Sequence, residues 1–438
     1  MFANKYLKTA ALLLAFLSLP VIADELTDQA QALVNQGKAS EAFRLLEPVE
    51  AARAGNVDFD LLFGVAAIDA GQNTRAVFAL ERVLALQPNN ARARAEIARA
   101  YFALGETDTA RQEFETVRTQ GIPPEVSATI DRFLDAVDRL ELVTQPTLRG
   151  YLETSFGYDS NVNAATAKGS VAVPAFGGQL FTLTASSKST DAWFATLGGG
   201  VAMRTPINND VALVGGLSGV LRNNFGAREF DSLNGDAYAG VMVTAERNVF
   251  SLNAQFNQYE LASDRYRTAA GLSGQWQFNP NARDQISAFV QYSDLRYPGQ
   301  SPRDADRWVV GGAFAHAYRD GEVAFASAYG VSERVHEDSA PWNSFYGGGV
   351  RAGGQMNLNA KTVLFAGASI EVRRYSAEDP SFLKTRADTQ YDLAFGATYT
   401  PARYWKVTPR LTLTANESNT ELNKYHREAV SVVLRRDF

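Results

Sequence analysis

The chain has no cysteine in its 438 residues. That excludes disulfides, thiolate nucleophiles, cysteine-ligated zinc and a lipid anchor on an N-terminal Cys. Histidine occurs three times, at His316, His336 and His426. A nucleophilic enzyme needs a base within reach of its nucleophile. None of the three lies in a motif with Ser and Asp, so catalysis is not expected. No phosphate-binding loop is present, and neither a cofactor nor a metal is expected. No apolar run approaches the 18 residues that read as a transmembrane helix. The net charge of −6 gives no electrostatic footprint for nucleic acid. A polar C-terminal tail is missing too: in the final "AVSVVLRRDF", Val430, Val432, Leu434 and Phe438 alternate with smaller or polar residues up to the last carboxylate.

What is abundant divides the chain. Glycine (34), tyrosine (17) and phenylalanine (26) concentrate after about residue 146, whereas Ala and Arg are denser before it. The start reads as an address. Lys5 and Lys8 precede the apolar run Thr9 to Leu19, then Pro20, Val21, Ile22 and Ala23, the pattern of a secretory signal peptide cut after Ala23. Residues 24–142 then carry a repeat. Gly37, Gly71 and Gly105 are 34 residues apart. Each is followed in register by Ala42, Ala76, Ala110, then Leu46, Leu80, Phe114, then Val49, Val83, Val117. Gly64, Pro88 and Tyr101 also fit the tetratricopeptide pattern, which predicts paired helices stacked in an array. The first repeat departs most, with Gln29 where a bulky residue is usual and Ala54 in place of Pro. From Glu125 to Leu142, Val126, Ile130, Phe133, Leu134, Val137 and Leu140 share one helical face, predicting a capping helix that opens on Pro123-Pro124. Such arrays bind peptides or proteins on a concave face. By repeat position, Arg92, Arg99 and Phe102 are the candidate cargo-binding residues.

From residue 146 the period drops to two. Phe250, Leu252, Ala254 and Phe256 alternate with Ser251, Asn253, Gln255 and Asn257; Ile286 to Ser293 and Tyr391 to Tyr399 do the same. A soluble sandwich and a membrane barrel share that pattern, and length separates them. Soluble strands run about 5 or 6 residues, whereas these run roughly 10 to 14, enough for a tilted strand to cross a bilayer, which takes about 9 to 11. Short turns at 206–209, 246–248, 279–281, 319–321, 357–359 and 400–402 alternate with longer polar loops near 159–190, 223–230, 260–265, 296–304, 334–342, 376–385 and 416–424. Short turns on one rim and long loops on the other mark an outer-membrane barrel, here of about fourteen antiparallel strands over 146–438. The fold class is therefore α plus all-β. Closure pairs the last strand with the first, near Leu148 to Tyr158, because no strand edge can face lipid. Leu434 and Phe438 then lie on the lipid side as the signal read by the barrel assembly machinery. Pro409 removes a ladder bond and is expected near a turn or at a bulge.

"YDSNVNA" (Tyr158 to Ala164) spaces Asp159, Asn161 and Asn163 like the start of a calcium loop. Ala164 and Ser170 stand where such a loop needs Gly and Glu, so it reads as Asx turns at the end of the first strand. The triplets Gly198-Gly199-Gly200 and Gly347-Gly348-Gly349 lie inside strands and suggest curvature or close approach of a group in the lumen.

The segment "ALQPNNARARAEIARAYFALGETDTARQEFETV", the capping helix and "GYDSNVN" together resemble the surface lipoprotein assembly modulator (Slam) family. That resemblance implies periplasmic tetratricopeptide repeats ahead of a fourteen-stranded outer-membrane barrel. It implies delivery of a surface lipoprotein or other partner protein from the periplasm to the cell surface. The partners it implies are that cargo, a periplasmic chaperone, the barrel assembly machinery and the bilayer. The rivals are a polysaccharide exporter built from the same two parts, a passive porin or adhesin, and an outer-membrane enzyme.

Overall fold

The computed structural model describes residues 25–318 and 321–438; the expected signal peptide, and most of the turn at Arg319-Asp320-Gly321, lie outside them. The chain divides into two compact units between Thr144 and Gln145.

The first unit is helical: α1 Glu25–Asn35, α2 Ala39–Leu46, α3 Glu50–Arg53, α4 Val57–Asp69, α5 Asn73–Leu86, α6 Ala91–Leu104, α7 Thr107–Arg118 and α8 Pro124–Thr144. The 34-residue period has a backbone cause. Gly37, Gly71 and Gly105 have φ of 73°, 81° and 84°, the left-handed region that ends a helix and that glycine enters without steric cost. The alanines of the repeat, Ala42, Ala76 and Ala110, are fully buried, as are Leu46 and Leu80. Asn56 and Asn90 cap α4 and α6 by accepting from the backbone N–H of Phe59 and Ala93, each at 3.0 Å. In the first repeat, Pro48 cannot supply the next helical N–H, and the helix gives way after Leu46 to a 3₁₀ turn, Glu47–Val49.

Gly64 shows how tightly α4 and α5 meet. A Cβ there would lie 2.6 Å from Leu80 Cγ. Gly64→Ala is therefore expected to lower stability by about 1–3 kcal/mol through overpacking, read as the thermal unfolding midpoint of the isolated helical unit. An unchanged midpoint would mean that Leu80 has room to rotate away.

The second unit is a closed barrel. Its strands are β1 Thr147–Asp159, β4 Ala192–Pro206, β5 Val211–Phe225, β6 Ser232–Ala245, β7 Asn248–Leu261, β8 Asp264–Phe278, β9 Asp284–Arg296, β10 Ala305–Ala317, β11 Val323–Val335, β12 Phe345–Asn359, β13 Thr362–Asp379, β14 Lys384–Tyr399, β15 Trp405–Ser418 and β16 Tyr425–Asp437. The loop after β1 contributes a separate hairpin, β2 Ser170–Val173 and β3 Gln179–Thr182. All fourteen barrel strands are antiparallel neighbours in chain order, and β1 closes on β16 from Tyr151 opposite Asp437 to Asp159 opposite Ala429. The ladder continues to the final residue: Phe438 N–H donates to Gly150 O at 2.8 Å.

The apolar face of each strand points outward. Trp193, Leu197, Leu217 and Leu252 are each more than half exposed there. Apolar exposure on this scale marks a membrane-facing wall. Aromatic clusters sit at its two edges, as a girdle requires. Phe156 stacks on Trp193 at 5.3 Å and Tyr292 meets Trp308 at 5.0 Å toward the long-loop rim, while Trp276 stacks on Phe278 at 6.2 Å toward the short-turn rim.

Three expectations are corrected. The loop expected near 260–265 is only the turn Ala262-Ser263, whose two residues have φ of 53° and 71°, a twist that matches a tight hairpin. The loop expected at 376–385 shrinks to residues 380–383, because β13 and β14 pair as far as Asp379 opposite Lys384, past a register shift after Arg374. Polar sequence does not stop a hairpin from growing beyond the membrane. Pro409 sits five residues into β15, away from the turn. The β14 ladder skips from Gly396–Arg410 to Tyr399–Val407 without changing register, so the missing donor costs pairing locally and makes no bulge.

Candidate functional site: the barrel lumen and its mouth

The strand register that turns apolar side chains outward turns polar ones inward, where they bond from strand to strand. Gln291 donates to Gln255 Oε1 at 3.1 Å, and Gln255 donates to Ser273 at 2.7 Å. Asn257 bridges Asn234 and Asp236 at 2.8 and 2.9 Å. Asp392 accepts from Thr414 at 2.7 Å, Gln390 at 2.9 Å and Ser369 at 3.2 Å. Glu371 accepts from Tyr329 and Arg373. At the short-turn end Asp437 accepts from Lys406 and Arg435, both at 2.8 Å, with Arg435 over the Tyr151 ring. Arg410 also faces inward, in register with Ser431. A wall of paired amides, hydroxyls and ions suits a hydrated peptide or a wet path, since its groups can exchange partners with a passing backbone.

The inner members of the glycine triplets have a packing reason. A Cβ at Gly200 would lie 2.8 Å from the Tyr151 ring, and one at Gly349 2.7 Å from the Tyr329 hydroxyl. These glycines let lumen tyrosines lie flat against the wall.

At the long-loop end, "YDSNVN" builds a latch. The Asp159 carboxylate is fully buried and takes Arg222 Nη2 at 2.8 Å and Arg427 Nη2 at 2.5 Å, joining β1, β5 and β16. It also accepts from Asn161 N–H at 3.1 Å, the Asx turn expected there. Asn161 Nδ2 reaches His426 O at 3.0 Å, and Ser160 N–H donates to Glu428 O at 2.9 Å. The loop that follows, residues 160–191, extends past β16 and β15: Ala175 N–H donates to Ser381 O, in the β13–β14 turn, at 3.1 Å. Its hairpin carries exposed Phe176, Leu180 and Phe181, with the two phenyl rings 5.4 Å apart.

The residues singled out in the helical unit fall differently. Arg99 is buried and ion-paired, at 2.5 Å to Glu96 and 2.7 Å to Asp69. Burial acts to lower its pKa, but Glu96 and Asp69 outweigh that and raise it above the usual arginine value. Phe102 is buried against Phe133 of α8 at 6.2 Å. Neither side chain offers a face to cargo, because α8 and the neighbouring repeat cover them. Arg92 is half-buried and keeps some access to solvent. In the barrel, Leu434 and Phe438 both project outward. The histidines stand away from the lumen: His316 Nδ1 meets Asp284 at 2.6 Å, His336 Nε2 meets Asp306 at 3.3 Å, and His426 is exposed.

Residues 149–438 match the sequence profile of the family described as surface lipoprotein assembly modifier, and residues 67–121 match a tetratricopeptide repeat profile. The chain belongs to the surface lipoprotein assembly modifier family. The family match starts at Arg149, two residues into β1, and runs to Phe438, so it covers the whole lumen and both ends of the latch. Membership and the outward apolar wall make this an outer-membrane barrel, and point to transport rather than catalysis.

Solved structures give partial likenesses. A FadL homologue of Pseudomonas aeruginosa is 11% identical, over 68% of this chain and 90% of that one, with a TM-score of 0.38. The outer-membrane channel DcaP of Acinetobacter baumannii is 12% identical over 67% and 97%, also at 0.38. The first tetratricopeptide domain of human RPAP3 is 19% identical over 26% and 87%, at 0.23. No curated protein sequence matches the chain.

Sequence reading within this family missed Arg222 and Arg427 as partners of Asp159. The three lie on different strands, 63 and 268 positions apart in the chain, and only barrel closure brings them together.

Proposed function

We propose that the barrel carries a surface lipoprotein or other partner protein across the outer membrane, with the helical unit capturing that cargo or its escort chaperone in the periplasm. The observation that supports it is the joining, in one chain, of a tetratricopeptide array to a closed barrel whose family is named for surface lipoprotein assembly. Topology supports the sidedness. The chain enters β1 at Thr147, on the short-turn rim, and in outer-membrane barrels that rim is periplasmic. A helical unit preceding Thr147 is then delivered to the periplasmic side. Among its residues, Arg92 is the proposed cargo contact. The lumen network offers the polypeptide exchangeable hydrogen bonds, and the Asp159 latch with its arching loop governs the outer mouth. Energy comes from cargo folding outside or from a partner.

Deleting residues 24–142 behind an intact signal peptide tests this reading. The barrel should still insert and conduct ions in a planar bilayer, while cargo is left in the periplasm and surface staining falls at least tenfold. Wild-type display without the helical unit would overturn the capture role and favour a passive pore. Swapping the exported gene and staining for protein against glycan separates the exporter alternative.

A further inference from the structure

Toward the long-loop rim, two carboxylates stand directly opposite each other on the outer wall. Asp294 of β9 pairs in register with Asp306 of β10, one step beyond the girdle pair Tyr292 and Trp308 on the same strands. Residues two apart share a face of a strand, so both carboxylates point outward with Trp308, which is half exposed. Like charges directly opposite on neighbouring strands destabilise a sheet, so the pair invites a cation. The third member comes from the next strand. Arg334 of β11 lies opposite Asp306. His336, two residues on, brings Nε2 to 3.3 Å from Asp306 Oδ2 and 3.9 Å from Asp294 Oδ1. One donor atom from each of the three residues lies within 4.8 Å of the other two. The donors come from three separate strands, so no spacing motif announces them in the sequence.

A plain ion pair does not account for the spacing. A charge-assisted bond from imidazole to carboxylate is about 2.7–2.9 Å long, and at the other rim His316 meets Asp284 at 2.6 Å. His336 approaches two carboxylates and closes on neither. Two ligands of one tetrahedral zinc, by contrast, stand about 3.3–3.5 Å apart when each metal bond is about 2.0–2.2 Å. The separation of His336 from Asp306 fits as it stands. Asp294, a third exposed, has to move in by only about half an ångström. The other oxygen of each carboxylate is already taken. The Tyr292 hydroxyl donates to Asp306 Oδ1 at 2.7 Å, and Arg296 Nε donates to Asp294 Oδ2 at 3.1 Å. Arg296 Nε is as near to Asp294 Oδ1, at 3.0 Å, yet that oxygen is buried and accepts no hydrogen bond. Partners of this kind orient metal-binding carboxylates from behind. The His336 backbone is fixed as well, its N–H donating to Asp304 O at 2.8 Å. The supporting shell is complete, and the lone pairs it leaves over converge on one point.

We propose that this point is a binding site for one divalent cation of the zinc class, held by Asp294 Oδ1, Asp306 Oδ2 and His336 Nε2. A donor set that mixes imidazole with carboxylate suits zinc, whereas magnesium and calcium take oxygen ligands alone. Three protein ligands leave the fourth position to water. Arg296, more than half exposed, is free to turn toward solvent as the metal charge arrives. The ion ties β9, β10 and the loop after β11 together at the edge of the membrane-facing wall, and it neutralises the opposed carboxylates. The site is on the other face of the wall from the lumen and owes nothing to the transport reading.

Full-length protein, purified in detergent on a tag free of histidine and stripped with EDTA, provides the test. Calorimetric titration with Zn²⁺ should show one ion per chain, unaffected by a large excess of Mg²⁺. His336→Gln, Asp306→Asn and Asp294→Asn should each weaken binding by about a hundredfold, the upper end of what losing even an outer-shell partner costs. His316→Gln, which removes a histidine that faces one carboxylate at the opposite rim, should bind as wild type does. A readout on the unaltered chain decides the matter even where a variant misfolds. Zn²⁺ should shield His336 from diethyl pyrocarbonate while exposed His426 is modified as before, read by peptide mass spectrometry. Absence of Zn²⁺ binding, equal competition by Mg²⁺, wild-type affinity in H336Q, or equal modification of His336 with and without Zn²⁺ each overturns the proposal.

Discussion

Replacing Asp159 with alanine is expected to cost the barrel about 3 kcal/mol, read as a lower midpoint of denaturant unfolding in detergent micelles. Removing one partner of a buried ion pair typically costs about 3–5 kcal/mol, because the remaining charge keeps its desolvation penalty and loses its compensation. Here the lost partner is shared. Arg222 and Arg427 both point at one carboxylate, and without it two guanidinium groups face each other. Arg222 also lies 3.9 Å over the Phe194 ring and cannot swing freely into water. The lower end of the range applies, because both arginines keep part of their surface hydrated. Asp159→Asn retains an acceptor but not the charge and should fall between. A second readout separates a latch from general stability. Asp159 orders the turn from which Asn161 and Ser160 hold β16, so limited proteolysis should cut the 160–191 loop faster in the variant while cleavage elsewhere is unchanged. An unfolding midpoint and a cleavage pattern both equal to wild type would show that the latch is ornamental.

The barrel was largely legible because its signals are local. Alternation over Phe250 to Asn257 or Ile286 to Ser293 fixes which face meets lipid, and the same alternation at Val430, Val432 and Leu434 runs through the strand that closes on β1. The helical repeat was legible for a similar reason: Gly37, Gly71 and Gly105 mark left-handed backbone, which few other residues tolerate. What escaped is what closure creates. Asp159 was visible as part of a motif, but its arginines were not. Asp294, Asp306 and His336 share no motif in the sequence until register sets them side by side. Arg99 and Phe102 failed as groove residues because repeat position says which helix face a side chain is on, not what packs over it. α8 covers Phe102, and the preceding repeat sends Asp69 to Arg99. Loop length was misjudged at 260–265 and 376–385 because polar residues there continue hairpins instead of ending them.

That burial turns Arg99 into the second large effect. Arg99→Ala should destabilise the helical unit by about 3–5 kcal/mol, a fall in thermal midpoint on the order of 10–20 °C for a domain of this size, measured by circular dichroism on residues 24–142. The upper part of the range is expected, since Glu96 is as buried as Arg99 and has nowhere to recover water, whereas Asp69 is nearer the surface. A double variant, Arg99→Leu with Glu96→Leu, removes the deeper of the two stranded carboxylates and leaves only Asp69, nearer the surface, so it should regain much of the loss, because apolar replacement of a buried pair is often neutral. If the single variant melts like wild type, the pair is hydrated in solution and Arg99 returns to the candidate cargo face. The distinction bears on function. Loss of cargo binding in Arg99→Ala would report a softened array, whereas the same loss in Arg92→Ala, at an unchanged thermal midpoint, would report a contact surface.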